Sequence, residues 1–325
     1  MKKLVIFLIL LLFLSKLSTK PISAEALSLG IFPSVIEIQA TPPSSPETTV
    51  AIQNFEDLPA ELKIQLLPIK MTDEKNGTIE YLPDNEDSLP QAIKRKIQIL
   101  DNGKKINRLT LAPNETRDLT ININLDKGDP AGDYYFSLVF LSEGIELSDT
   151  NASQIPAGIG TNILVSIGPK LSSSGIISEF KTKPFFSSGP VPFNLLLQND
   201  SPHLIVPTGS ITIKNLFGKK IANIKILPQY VLANSERYLV DANQVGTNEK
   251  YLSEVAKVKV ANPIVFWPEN FLLGYYKATV AIQLDENSTT TASTSFFAFP
   301  TYLYFVLIIL IFVGISIYLK VKRKI

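Results

Sequence analysis

Cysteine is absent from all 325 residues, and histidine and tryptophan each occur once. Without cysteine there is no disulfide, no thiolate nucleophile and no thiolate zinc site. A single histidine removes most of the remaining metal-site and nucleophile chemistry. No GxSxG, HExxH, P-loop or GxGxxG element is present, so nothing in the chain points to an enzyme. Convincing helical periodicity with caps is also lacking. Long apolar runs are missing everywhere except at the two ends.

Met1–Leu14 reads MKKLVIFLILLLFL, with Lys2 and Lys3 ahead of the apolar run and the small residue Ala24 behind it. That is the layout of a secretory signal at residues 1–24, an uncleaved anchor being the alternative. Tyr302–Leu319 reads YLYFVLIILIFVGISIYL, long enough to cross the hydrocarbon layer. Tyr302, Tyr304 and Tyr318 lie near its ends, where amphipathic rings suit the headgroups. Lys320, Lys322, Arg323 and Lys324 follow at once. The expectation is a transmembrane helix at 301–319 in the plasma membrane, with a cytoplasmic basic tail at 320–325 and Glu25–Pro300 outside.

Charge of one sign does not dominate, since 31 basic and 30 acidic residues nearly balance. Removing the four lysines before Glu25 and the four tail cations leaves 23 basic against 30 acidic side chains outside, a net −7. The part up to Gly168 holds 11 basic and 21 acidic residues (−10), and the part after it 12 and 9 (+3). An acidic exterior argues against nucleic acid as a partner.

Between the ends the chain reads as all-β. Apolar and β-branched runs are separated by Pro, Gly, Asn and Asp: Ser34–Gln39, Thr48–Gln53, Glu61–Leu67, Asp118–Leu125, Tyr134–Leu141 and Asn162–Ile167, then Phe193–Gln198, Gly209–Asn215, Lys219–Leu227, Glu254–Val260 and Tyr275–Leu284. Leu119, Ile121, Ile123 and Leu125 alternate with polar residues, as in a half-buried strand. Leu89–Ile99 reads either as a helix or as a strand. The pattern also repeats. Ile52-Gln53-Asn54 and Leu197-Gln198-Asn199 each end an early strand, and Gly132-Asp133-Tyr134-Tyr135 and Gly274-Tyr275-Tyr276-Lys277 each open a late one. Two tandem immunoglobulin-like β-sandwiches, at 25–168 and 169–299, are the economical reading. The hinge is expected at Gly168–Gly175, with a glycine turn of positive φ at Gly132 and at Gly274.

Phe32-Pro33, Ile36-Glu37-Ile38, the Pro-rich Pro42–Pro46, Gln53-Asn54, Leu111–Glu115 and Gly128–Tyr134 come in an order that resembles the pilus-chaperone-like first domain of the WxL-interacting surface proteins of Gram-positive bacteria. The layout of signal, two sandwiches, one span and a basic tail is similar to that family too. The resemblance implies an association of the first domain with the cell wall and of the second with a WxL partner.

Candidate chemistry is sparse. His203 lies between Pro202 and Pro207 in a turn-rich segment, which favours a structural or surface role with its ring on a loop carbonyl. Asp126, Asp129 and Asp133 could ligate calcium, but without an EF-hand spacing, and a tight turn explains their glycines equally. Asp73, Glu74, Asp84, Glu86 and Asp87 read as a solvated or partner-binding loop. Lys94-Arg95-Lys96 and Lys104-Lys105 suit an anionic wall polymer, or simply blunt strand edges. No catalytic, cofactor or metal residue is assigned. The expected function is that of a non-enzymatic, membrane-anchored binding or scaffold protein whose partner is a cell-envelope protein or wall polymer. The alternatives are a chaperone-like module adding a strand through Asn162–Ile167, and an accessory subunit of a membrane complex contacting partners through Gly314 and Ser316. The connection Ser142–Thr161 is expected to be the most functional stretch of the first domain, because loops of that length between confident strands commonly carry function; the alternative is a loop that folds back as a lid on its own sheet.

Overall fold

The computed structural model describes residues 28–73, 75–82, 89–142, 158–169, 171–245 and 264–322. The signal segment 1–24, strand Glu254–Val260, acidic residues Glu74, Asp84, Glu86 and Asp87, and 143–157 of the long connection lie outside the described residues.

The first half contributes β1 (Leu29–Phe32), β2 (Val35–Ala40), β3 (Glu47–Asn54), β4 (Ala60–Asp73), β5 (Thr78–Tyr81), β6 (Ile97–Asp101), β7 (Lys104–Lys105), β8 (Arg108–Leu111), β9 (Thr116–Ile123), β10 (Gly132–Ser142) and β11 (Gly158–Ile167). The second contributes β12 (Gly175–Lys181), β13 (Phe185–Phe186), β14 (Val191–Asn199), β15 (Thr208–Asn215), β16 (Lys220–Ile226), β17 (Glu236–Tyr238), β18 (Val265–Trp267), β19 (Gly274–Gln283) and β20 (Thr289–Ala298). Leu89–Ile99 is both things at once: a short helix α1 (Leu89–Lys94), then the start of β6.

Sheets β1-β3-β9-β6-β7 and β2-β11-β10-β4-β5, with β8 also on β4, face each other across one core. Sheets β12-β14-β17, with β18 also on β14, and β13-β20-β19-β15-β16 face each other across another. Alternation builds both. In β19, Tyr276, Ala278, Val280 and Ile282 point inward while Tyr275, Lys277, Thr279 and Ala281 point out. The first core is mainly aliphatic, around Ile52, Leu119, Ile121 and Phe136. The second is held by rings: Tyr276 stacks on Phe296 at 5.2 Å, and Trp267 meets Tyr276 edge-on at 5.5 Å. Such ring pairs each add to plain area burial.

The first strand of each sandwich is split between the two sheets. β1 pairs with β3, the chain turns at the cis Phe32–Pro33 bond, and β2 then runs parallel to β11. Likewise β12 pairs with β14 and β13 runs parallel to β20.

The sequence repeat corresponds to one hydrogen-bonded device used twice. Asn54 and Asn199 are fully buried. Asn54 Nδ2 donates to Leu58 O and Ala112 O, and Asn54 Oδ1 accepts from Glu56 N. Asn199 Nδ2 donates to His203 O and Leu232 O, and Asn199 Oδ1 accepts from Ser201 N. The backbone agrees: Asn54 N bonds to Glu115 O and Asn199 N to Ser235 O, beside the left-handed residues Asn114 and Asn234. A second shared device opens the late strands. Tyr134 donates its hydroxyl to Pro130 O and Tyr276 to Leu273 O, a tyrosine corner in each sandwich.

Gly132 and Gly274, just ahead of those tyrosines, have φ of 146° and 109°. A Cβ at Gly274 would meet nothing, and one at Gly132 only the far end of Tyr134. Substitution there is therefore opposed by backbone conformation and not by crowding. Gly132→Val and Gly274→Val should each destabilise their own sandwich by about 1–3 kcal/mol, with Gly→Ala nearly as costly. An unchanged melting temperature would count against these turns.

After Pro300 the chain forms α2 (Thr301–Lys322), 22 residues. Among the described residues no helix is long and apolar enough to cross a membrane; the side chains at 306–307 and 317–325 of this segment lie outside that description.

Candidate functional site

Two features of the fold present unusual chemistry: the joint between the sandwiches and one stretch of sheet edge that no strand covers among the described residues.

The joint is built on Asp133, which the glycine turn at 132 places at the start of β10. Its side chain is only 2 % exposed, against 14 % for His203. Its carboxylate sits 2.8 Å from His203 Nδ1 and accepts from Leu204 N at 2.6 Å and from the Tyr135 hydroxyl at 3.1 Å. Against a carboxylate the ring nitrogen is the donor. The Tyr135 oxygen in turn accepts from Ala233 N at 3.2 Å. His203 thus bonds across the joint to a carboxylate of the first sandwich, and not to a loop carbonyl as its turn-rich surroundings imply. The loops that reach Asp133 and Tyr135 are the two that Asn199 holds from behind.

Further contacts flank this centre. Tyr230 donates its hydroxyl to Glu37 on β2 at 2.6 Å. The β4–β5 turn lies on β17, with Tyr238 N donating to Lys75 O at 2.8 Å and Lys75 Nζ 3.2 Å from Glu236. Burial pushes the Arg237 guanidinium below its usual range; its Nη1 donates to Tyr230 O. Burial raises the Tyr135 phenol, and the Asp133 charge raises it further. The Tyr230 phenol is pushed up to about 12, first by burial and then by Glu37. Both shifts mean that folding favours the neutral phenol. The Tyr230 contribution is complete below pH 10, the ordinary tyrosine value, and is lost as pH rises through about 12, while that of the more strongly raised Tyr135 persists beyond it. Solution scattering should therefore show the sandwiches separating over that alkaline window, and Tyr230→Phe should weaken the step. A radius of gyration constant to about pH 12 would count against it.

The three candidate calcium aspartates are not brought together. Asp126 and Asp129 grip Lys96 at 2.6 and 2.9 Å, whereas Asp133 faces the second sandwich. Among the described residues no group of three or more acidic or histidine side chains is poised for a metal. In the basic run, Lys96 is committed to those aspartates and Lys94 and Arg95 have partners as well. Lys104 and Lys105 stand exposed in the two-residue edge strand β7.

Asn162–Ile167 is not an open edge, which corrects the strand-addition reading at those positions. It is paired with β10 on one side and with β2 on the other. Ile163, Val165 and Ile167 face the core, fully buried. β11 begins earlier, however, at Gly158, while β2 joins only at Asn162 because the chain ahead of it has crossed to the other sheet. Among the described residues Gly158–Gly160 therefore has a ladder on one side only, to Leu141–Val139 of β10, whereas Thr161 is buried and donates its hydroxyl to Pro33 O at 2.7 Å. Asn162 N donates to Ser34 O on the β2 side. By the period of two, the peptide groups of Gly160 and Gly158 point the same way, toward the uncovered side. Two glycines and no lysine or proline leave this edge without the usual guards.

No family model matches the chain, and no curated protein matches it. Several solved structures resemble its arrangement. The class 5 fimbriae chaperone CfaA is 9% identical with a TM-score of 0.40, covering 82% of this chain and 99% of its own. The E. coli chaperone DraB is 13% identical with a TM-score of 0.35, covering 84% and 98%. The Salmonella enterica SafA pilin in complex with the SafB chaperone gives 10% identity and a TM-score of 0.35, covering 84% and 99%.

Proposed function

We propose that this chain is a non-enzymatic, extracytoplasmic binding protein that takes up a strand of a cell-envelope protein at the leading edge of β11. Residues 1–24 direct export, 25–168 and 169–299 fold as two sandwiches, the helix at 301–319 anchors them in the plasma membrane, and 320–325 remain in the cytoplasm. The observation that supports the binding reading is the overhang Gly158–Gly160, which has no second strand beside it among the described residues. A partner strand laid there would continue the line of β2 and take main-chain hydrogen bonds from Gly158 and Gly160. The locked joint would hold that edge in a fixed direction from the membrane.

The test is a pair of substitutions at one residue. Gly160→Pro removes the outward N–H and fills the edge with a ring. Gly160→Ala keeps the N–H and puts the same Cβ 3.0 Å from Leu138 O. Capture of envelope proteins by the full-length chain should be lost with proline and kept with alanine, at similar melting temperatures. Equal capture by both variants would overturn strand addition. A captured WxL-type protein would extend the resemblance to that family; retention on purified wall polymer, unaffected by proline, would favour the polymer instead.

A further inference from the structure

The end of the second sandwich from which the chain enters α2 is apolar in a way that nothing in its fold requires. Strand register identifies what lies there. Gly274 opens β19 opposite Ala298, the last residue of β20, and Thr301 begins α2 after only Phe299 and Pro300. β15 ends at Asn215, opposite Tyr276, so the β15–β16 hairpin turns at this same end. The tip of that hairpin is Leu216-Phe217, 69 % and 89 % exposed. Phe271 and Leu273, just ahead of Gly274, and the stacked pair Phe185 and Phe297 are exposed on the same end. Tight hairpin turns are ordinarily polar, and a phenylalanine presented this fully to water is unfavourable.

The charges around these side chains are mostly of one sign. Lys214, Lys219, Lys220 and Lys277 are exposed on the hairpin and on the neighbouring strand, with Glu269 the acid on the loop beside them. Aromatic tips within a ring of lysines match the water–lipid boundary, where rings sit among headgroups and cations meet anionic lipid.

We infer that this end of the second sandwich rests in the headgroup layer of an anionic membrane, with the Leu216-Phe217 hairpin tip inserted beside the helix. This rests on the proposed reading of 301–319 as a membrane span. The contact supplies a second point of attachment, so the sandwich stands at one angle to the bilayer instead of pivoting about Phe299-Pro300.

Because the chain has no cysteine, one label can be placed at a time. Phe217→Cys, Glu286→Cys and Leu310→Cys are each made in the full-length protein and given an environment-sensitive fluorophore. Each is reconstituted in phosphatidylcholine–phosphatidylglycerol vesicles carrying a nitroxide-labelled lipid. Glu286 lies in the turn at the far end of β19, about 30 Å away along a ten-residue strand. The expected result is strong quenching at 310, clear quenching at 217 and none at 286. Quenching at 310 but not at 217 overturns the inference and leaves the anchor standing. No quenching at 310 overturns the anchor and the inference with it. Equal quenching at 217 and 286 also overturns it, since the whole sandwich would then lie on the surface.

Discussion

Asn199→Ala should lower the stability of the second sandwich by about 2–4 kcal/mol and loosen the joint at the same time. The amide holds four backbone groups. Val231 O also accepts from Ile205 N, and Leu232 O from the Ser235 hydroxyl. Truncation therefore strands chiefly Ser201 N and His203 O, and opens a small cavity. His203 and its neighbour Leu204 are the residues that reach Asp133, so their loop would lose its backing. Asn199→Asp is the sharper variant. It keeps the acceptor for Ser201 N but turns a carboxylate toward three carbonyl oxygens in a buried site, and should cost at least as much as alanine. Thermal melts check stability, and protection of the joint peptides in hydrogen exchange checks the loop. A melting temperature unmoved by Asn199→Asp would overturn this account of the buried amide. Asn54→Ala should give a matching loss in the first sandwich without the effect on the joint.

Asp133→Ala should uncouple the two sandwiches. It leaves the His203 ring, Leu204 N and the Tyr135 hydroxyl without their shared acceptor inside a nearly closed contact. The penalty is about 2–4 kcal/mol of coupling, carried by the polar groups left behind as much as by the lost bonds. Unfolding that is a single transition in the parent should split into two. Solution scattering should report a larger radius of gyration, and proteolysis should appear at 169–175, where Asp285 now holds Ser173 N at 2.6 Å. If unfolding stays single and the radius does not change, the remaining contacts at Tyr230–Glu37 and Lys75–Glu236 suffice and Asp133 is not the centre of the joint.

The strands are readable from sequence because their signal is local. Alternation along β9 and β19 and the turn residues between strands are set within each segment. Spacing of Gln-Asn and Gly-x-Tyr announces a repeat because both copies need the same turn chemistry at the same structural point. The joint is not readable in this way. Glu37 and Tyr230 stand 193 residues apart, and nothing in either one's neighbourhood signals the other. Asp133 reads as part of an acidic turn because Asp126 and Asp129 lie close in sequence, yet β10 begins at Gly132, after both of them, and turns the Asp133 carboxylate toward the other sandwich. The surroundings of His203 place it in a turn but do not pair it, since its partner is fixed by how two folded units meet. The status of Asn162–Ile167 depends on β2, whose parallel pairing to β11 follows from a crossing of the chain at Phe32–Pro33 that alternation does not reveal.

One irregularity of the second sandwich makes it a natural place for cargo. β17 and β18 both pair with β14, the first as far as Tyr238 and the second from Val265. Leu239 N still bonds to Leu195 O, and Val265 lies opposite Phe193, so departure and return fall on consecutive inward-facing rungs of a single ladder. The buried carboxylate of Asp241 stitches the gap by accepting from Asn243 N on the outgoing side and Phe266 N on the returning side. An epitope grafted between these two points would be carried on ends already tied to the ring-lined core, and would travel with the sandwich as a fixed passenger.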